Sequence, residues 1–276
     1  MQIYRPGAMA ILLTILACGF LLAPLLAVVP ISFTPFRYLQ MPDGEYSLRH
    51  YQTILEDPDW HASILLSAWI ALISSFVATA LATAFGLGIW YAQSRLAPFV
   101  VGFVMLPMVV PPVVSAATLY FFTTWLSRQY APVGYDTWPG VTLAHVVMIV
   151  PFAVIVILVS LSRLDRRIEL AARGMGASLW QTTVMVMLPN IRFGILSAWL
   201  LTFVLSWEEI GVTLFITSVQ AITLPRRMWM GLRDNIDPAI AAISVLLIIA
   251  TVVLVLVRVV WREAAERHMR QRGIAH

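Results

Sequence analysis

Two adjacent carboxylates, Glu208 and Glu209, follow Trp207 inside a stretch that is otherwise apolar from about Phe193 to Thr217. In a membrane each would cost about 2.5 to 3.5 kcal/mol near the centre of a spanning helix, so each needs water, a partner or a cation. Consecutive helical residues point about 100° apart, so at most one of the two faces a central pathway squarely while the other meets a neighbour. The other apolar stretches hold no arginine. A charged partner must therefore come from another subunit or from a solute, and pairing with arginine or backbone groups of a neighbouring span is the purely structural alternative. Pro107, Pro111 and Pro112 make a second candidate. Three prolines within six residues free backbone carbonyls and bend a helix, which lipid tolerates only where a cavity or a neighbouring helix resatisfies those groups. A gate or pathway lining is one reading of them, and a packing kink is the other.

The third candidate is the segment Ser162 to Arg192, SRLDRRIELAARGMGASLWQTTVMVMLPNIR, between two apolar stretches. Ser162 to Asp165 and Ser178 to Gln181 each fit a capping box, which places one helix start before Ile168 and another after Ala177. Gly174 and Gly176 permit a turn between the two helices, and Pro189 is expected to end the second. A small capped helix pair of this kind is a rigid handle suited to a groove on another protein, and a mere tether between spans is the alternative.

Within that segment, Leu170-Ala171-Ala172-Arg173-Gly174-Met175-Gly176, then nine residues, then Val186-Met187-Leu188-Pro189, resembles the EAA loop of ABC importer permeases. The pattern there is Glu-Ala-Ala, three residues, Gly, nine residues, Ile-x-Leu-Pro, and the spacing matches throughout. Leu170 stands at the motif glutamate, with Glu169 just before it, and Val186 stands for the isoleucine. Most of the chain after about Ser47 is similar to the permeases of the spermidine/putrescine importer group. The resemblance implies a type I ABC importer permease fold with six transmembrane helices. It assigns ATPase coupling to Glu169, Leu170, Ala171, Ala172, Arg173, Gly176, Leu188 and Pro189. It also implies two ATPase subunits that bind ATP and Mg, a second permease subunit that completes the pathway, and a periplasmic substrate-binding protein.

The elements that must position these residues follow from composition. Of the 276 residues 60% are hydrophobic and 12% charged, too little polar surface for a soluble globule of this size. Apolar runs of eighteen or more residues favour an all-α membrane protein over a barrel, whose strands alternate. All 18 basic residues are arginine. Without lysine there is no phosphate-loop lysine and no Schiff base, so nucleotide hydrolysis must reside elsewhere and the chain itself carries no cofactor. Nor does the spacing of its five histidines suggest a metal site, and nothing suggests nucleic acid. Cys18, the single cysteine, is read as packing within an apolar run.

Six spans can be drawn, at about Ala8 to Pro30, Ala62 to Tyr91, Phe99 to Trp125, Gly140 to Ser160, Phe193 to Thr217 and Pro238 to Val257. The first is read as an uncleaved span, and residues 1–276 as one permease domain with a coupling loop at about 163–190. With a cytoplasmic amino terminus, the inner segments hold twelve arginines: Arg5, Arg95, five from Arg163 to Arg192 and five from Arg258 to Arg272. The outer segments hold six, Arg37, Arg49, Arg128, Arg226, Arg227 and Arg233. This bias places both termini in the cytoplasm of a bacterium and the chain in its inner membrane. Trp60, Trp90, Trp125, Trp138, Trp229 and Trp261 lie near span ends, as interfacial anchors do. Ala80, Ala84 and Gly88 form a small-residue face suited to helix packing. The outer loop Ser32 to His61 is expected to be an ordered cap, and the stretch Leu224 to Asp234 either receives a soluble partner or anchors to headgroups. The acids of the fifth span suit a cationic solute such as a polyamine. The alternatives are an ABC permease for another small solute (an amino acid derivative, thiamine or iron), or a secondary, ion-gradient transporter, which usually shows internal repeats not found here.

Overall fold

A computed structural model describes residues 7–234, 237–253 and 256. The described residues are helical between their loops and contain no strand. The chain divides into two compact units, one drawn from residues up to His61 and from Met228 onward, the other Ala62–Arg227.

In the first unit, α1 (Ala8–Ile31) carries no buried residue. Cys18 is exposed there, so it is not packed within the chain as the sequence suggested. The loop that follows is the ordered cap expected of it. Ser32 Oγ lies 2.7 Å from Tyr51 Oη, His50 Nε2 lies 3.0 Å from the Phe36 carbonyl, and the Ser47 amide donates to the Phe33 carbonyl. Within it α2 (Arg49–Glu56) buries His50 and Ile54.

The 35-residue α3 (Pro58–Ala92) begins in the first unit and runs through the second. There it is followed by α4 (Ala97–Val104), α5 (Leu106–Val109), α6 (Pro112–Gln129) and α7 (Trp138–Ser162). After α7 come α8 (Arg166–Gly174), α9 (Leu179–Gln181), a π-helical segment (Thr182–Met187) and α10 (Leu188–Asn190). Then follow α11 (Arg192–Trp207), α12 (Gly211–Ile216) and α13 (Leu224–Asp234). Thr137 starts α7 by accepting from the Gly140 amide. An apolar surface all round predicts a central helix, and α7 has 56% of its most apolar window buried against 39% for α3.

Two clusters organise this unit. One joins Ala82 and Leu87 of α3, Ala153, Val154, Ile157 and Leu161 of α7, Met187, Ile191, and Ala198 of α11. The other joins Ile70 of α3, Ala116 and Leu119 of α6, Val141 and Ala144 of α7, Val212 and Ile216 of α12, and Ala221. Small residues set the helix separations, as in membrane bundles generally. A Cβ on Gly86 would stand 2.7 Å from Ile157 Cγ2, and one on Gly194 would strike Ser160. The face Ala80, Ala84 and Gly88 is not part of this packing. It is exposed and lines an open apolar groove of about 670 Å³ together with Thr79, Thr83 and Trp199.

Among the described residues three helices, α1, α3 and α7, are long and apolar enough to cross a membrane, and a fourth candidate is the pair Leu179–Asn190 and Arg192–Trp207, bent by 69°. The expected spans Phe99 to Trp125 and Phe193 to Thr217 are not continuous helices. The first breaks at Val110 and Pro111, both extended with ψ of 133° and 134°, because a residue before proline is driven out of the helical region. The second breaks between Trp207 and Gly211, where the carboxylates stand. In the first unit, α14 (Ala239–Val253) is a shorter apolar helix within the expected Pro238 to Val257. The last residues of that span other than Val252, Val253 and Leu256, together with Arg5, Trp261 and the arginines from Arg258 onward, lie outside the described residues.

Contacts within the second unit sort its loops onto two ends. At one end, the Asp136 carboxylate accepts from the amides of Ser218, Val219, Gln220 and Ala221 at 2.7 to 3.2 Å, and Arg227 Nε donates to Ser63 Oγ. At the other, the end of α3 meets the segment between α7 and α11.

Candidate functional site

The segment between α7 and α11 is built by local chemistry. Asp165, not Ser162, starts α8: its carboxylate accepts from the Arg167 amide at 2.9 Å, because α7 runs on through Ser162 and Asp165 is the last non-helical residue before α8. The second capping box forms as expected, with Ser178 Oγ accepting from the Gln181 amide and Gln181 Oε1 from the Ser178 amide. Gly176, at φ +91°, makes the turn between the two arms, whereas Gly174 closes α8 without a positive φ. Pro189 does not end the second arm, which continues to Asn190 before the bend at Ile191. Pro189 has no N–H for the carbonyl four residues back and its ring would strike that carbonyl, and the wider π turn ahead of it accommodates the proline within the helix.

The two arms divide their residues by exposure. Glu169 is 5% exposed and faces inward, accepting from Trp90 Nε1 at 2.7 Å and sitting 3.6 Å from Arg173. Ala172 is also buried. Leu170, Met175 and Trp180 are 64%, 85% and 74% exposed, and Leu179 is exposed beside them. An apolar row on a helix pair without a covering element is an unfilled contact surface. Trp90, expected as a lipid anchor, is instead committed to Glu169. Trp60 is buried, while Trp125, Trp138 and Trp229 are exposed as anchors require.

At the broken fifth span, Glu208 caps the end of α11 and its side chain is exposed. Glu209 turns back on the chain, its Oε1 accepting from the Val212 amide at 2.9 Å in the first turn of α12. Neither forms an ion pair among the described residues. Trp207 stacks on Phe203, which in turn meets Trp199, giving an aromatic ladder along α11 that ends at the carboxylates. Beneath the break, His145 of α7 bonds to Ser206 Oγ of α11 at 2.9 Å through Nδ1 and to Thr213 Oγ1 of α12 at 3.0 Å through Nε2. Ser74 Oγ of α3 completes the chain at 2.7 Å from Ser206. Thr213 donates to the Glu209 carbonyl, an obligate acceptor, so its oxygen accepts from His145 Nε2–H. Sequence reasoning did not find His145, because its partners lie 61 and 68 residues away.

Pro107 is half-buried and Pro111 and Pro112 are exposed. The structure does not join them to Glu208 and Glu209 directly, but the helices following the two breaks, α6 and α12, pack on each other through Ala116, Leu119, Val212 and Ile216. In the outer stretch Leu224 to Asp234, two arginines are used internally. The Arg226 guanidinium donates to the carbonyls of Thr217 and Ser218 at the end of α12, and Arg227 is held by Ser63. Trp229, Met230 and Leu232 remain exposed. No group of three or more metal-ligating side chains occurs among the described residues.

Comparison with known proteins agrees with this architecture. The chain is 29% identical over 245 residues to the putrescine transport system permease protein PotI of Escherichia coli (strain K12), covering 86% of this chain and 85% of that protein. It is 23% identical over 238 residues to the spermidine/putrescine transport system permease protein PotC of the same strain, covering 86% and 88%. A probable molybdenum ABC transporter permease protein of Haloferax volcanii is 29% identical over 234 residues, covering 80% and 84%. Among solved structures, a chain of a bacterial ABC transporter involved in the import of the acidic polysaccharide alginate superimposes with a TM-score of 0.70 at 17% identity, covering 95% of both chains. A chain of the MetNI methionine ABC transporter gives 0.53 at 18% identity, covering 78% of this chain and 98% of that one. Residues 80–271 match the family described as binding-protein-dependent transport system inner membrane component, and the chain belongs to that family.

Proposed function

We propose that this chain is a membrane-spanning subunit of an ATP-driven importer, forming half of the pathway for a small cationic solute of the polyamine type and coupling to a cytoplasmic ATPase through the loop at 163–190. The observation that carries this reading is the loop itself: two capped helical arms turned at Gly176, with the carboxylate of Glu169 inside and Leu170, Met175, Leu179 and Trp180 outside. Such a surface suits a groove on a soluble partner. Six crossings are made by α1, α3, α4 to α6, α7, α11 to α12, and α14. The sorting of loops onto two ends fits that alternation, since Asp136 and the stretch 218–227 share one end while Trp90 and the 163–190 loop share the other. The arginines of the 163–190 loop stand at the latter end, which supports a cytoplasmic face there, and the arginine bias of the sequence favours cytoplasmic termini. The stretch Leu224 to Asp234, with Trp229, Met230 and Leu232 exposed, receives a periplasmic binding protein.

For the solute, similarity alone does not choose, because relatives named for putrescine and for molybdenum stand at the same 29% identity. The exposed Glu208 at the foot of an aromatic ladder favours a cation. The test is purification with a partner ATPase and permease: Leu170→Asp should release the ATPase while membrane insertion persists. ATP-dependent uptake of putrescine, with none of molybdate, supports the reading. Uptake that follows an ion gradient without ATP would overturn it.

A further inference from the structure

Three side-chain interactions meet at the last turn of α3. Trp90 Nε1 donates to Glu169 Oε2 at 2.7 Å, and Arg166 Nη2 donates to the Trp90 carbonyl at 2.9 Å with its guanidinium 5.2 Å from the centre of the indole. The next residue, Tyr91, bonds to Thr183 Oγ1 at 2.9 Å. Thr183 already donates to the Leu179 carbonyl, so the tyrosine hydroxyl is the donor. Two consecutive residues thus hold the two arms of the loop, Trp90 the α8 arm and Tyr91 the π-helical arm. Farther along the same helix, Ser74 Oγ lies 2.7 Å from Ser206 Oγ and Thr79 Oγ1 lies 3.4 Å from Thr202 Oγ1, both on α11 just before its break. The sixteen steps from Ser74 to Trp90 amount to about 24 Å of helix at about 1.5 Å per residue.

We infer that Trp90 and Tyr91 form a clasp that makes α3 the rod between the loop and the broken fifth span. A displacement of the loop is then carried along α3 to Ser206 and so to the break that bears Glu208. The covalent connections from the loop to α7 and α11 do not involve α3, and the clasp adds directional bonds to both arms beyond the apolar cluster that Leu87 and Met187 share. In this arrangement Glu169 is an internal positioning residue, the acceptor for the indole N–H, and its charge is not what the ATPase reads. A buried hydrogen-bonded carboxylate is costly to redirect toward a partner. The inference rests on the importer reading, and its test must separate the two.

Complexes containing the ATPase, the second permease and the binding protein, reconstituted in liposomes, give uptake and ATP hydrolysis side by side. Trp90→Phe with Tyr91→Phe removes one N–H and one O–H while keeping the rings. Complex yield should hold, ATP hydrolysis should stay within about twofold, and solute moved per ATP should fall about fivefold or more. Glu169→Leu should lower that ratio similarly, and Glu169→Gln, which retains an acceptor oxygen, should recover it to within about twofold of the native value. A native ratio in the double variant sinks the clasp, as does a Glu169→Gln variant whose ratio falls as far as that of Glu169→Leu, since charge would then be the recognised feature. If the double variant fails to assemble, Tyr91→Phe alone carries the test, with the same two outcomes. Leu170→Asp in the same preparations separates the failures. Lost ATPase with that variant and a native ratio with the clasp variants defeats the clasp alone, whereas retained ATPase with ATP-independent uptake defeats the importer reading.

Discussion

Glu208 and Glu209 are neighbours in sequence with different employment. Glu209 is spent on the first turn of α12, where its carboxylate both satisfies the Val212 amide and meets the positive end of the helix dipole. Replacing it with leucine should cost about 1 kcal/mol of stability, visible in thermal melting of the complex, while Glu209→Gln keeps an acceptor and loses less. Glu208 is the residue whose charge is available. Glu208→Gln should lower uptake of a cationic solute about tenfold, the worth of one charge-assisted contact, with complex yield near normal. Unchanged uptake in that variant would remove the pathway role. At the outer end, Asp136 carries a second testable charge. Desolvation raises its pKa, but the amides of Val219, Ser218, Gln220 and Ala221 together outweigh this and hold it below the ordinary 3.8. A carboxyl depressed in the folded state stabilises fully above its unfolded pKa, and that contribution disappears as pH falls through the folded value. Melting temperature should therefore decline in the acid range below the ordinary carboxyl value, and Asp136→Asn should flatten that decline. Asparagine tolerates the backbone φ of +56° that Asp136 adopts. The residue types at Glu208, Gly176 and Ser178 announced themselves in sequence because their signals are local. Asp136, Trp90 and His145 did not, since each finds its meaning in a partner more than sixty residues distant.

Elements were legible where one rule governed them and obscure where two competed. Apolar length fixed α1, α3 and α7 to within a few residues. The same rule drew continuous spans through Pro111 and through Glu208, where proline sterics and the solvation of carboxylates prevailed over hydropathy and broke the helices. In the loop, Gly176 offers the sharpest test of backbone against packing. A Cβ placed there meets nothing within 4 Å, so a substitution is penalised only through its φ of +91°. Gly176→Val should cost about 1 to 2 kcal/mol locally, shift the second arm, and lower uptake per ATP without loss of insertion. Gly176→Asn, which visits that region more readily, should recover most of the coupling, and equal behaviour of the two variants would show that the turn is not the determinant.

For the whole molecule, what the sequence revealed was the class of surface, and what it withheld was which surfaces are covered. Composition places the chain in lipid, and a small-residue stripe at Ala80, Ala84 and Gly88 reads as packing. The structure gives the packing to Gly86 and Gly194 instead and leaves the stripe bordering the groove. Spacing cannot distinguish two faces of one helix when both are apolar and small. The π-helical segment Thr182–Met187 carries a related lesson about counting. Nine residues separate Gly176 from Val186, and an interval of that kind is naturally taken as a length of α-helix. Here it includes a turn whose bonds reach five residues back, so it contains one residue more than the α-ladder would use. A chain lacking one residue there could close the ladder and keep both flanking helices in phase. It would fail a comparison of letters while preserving the shape, because what the interval encodes is a rotation.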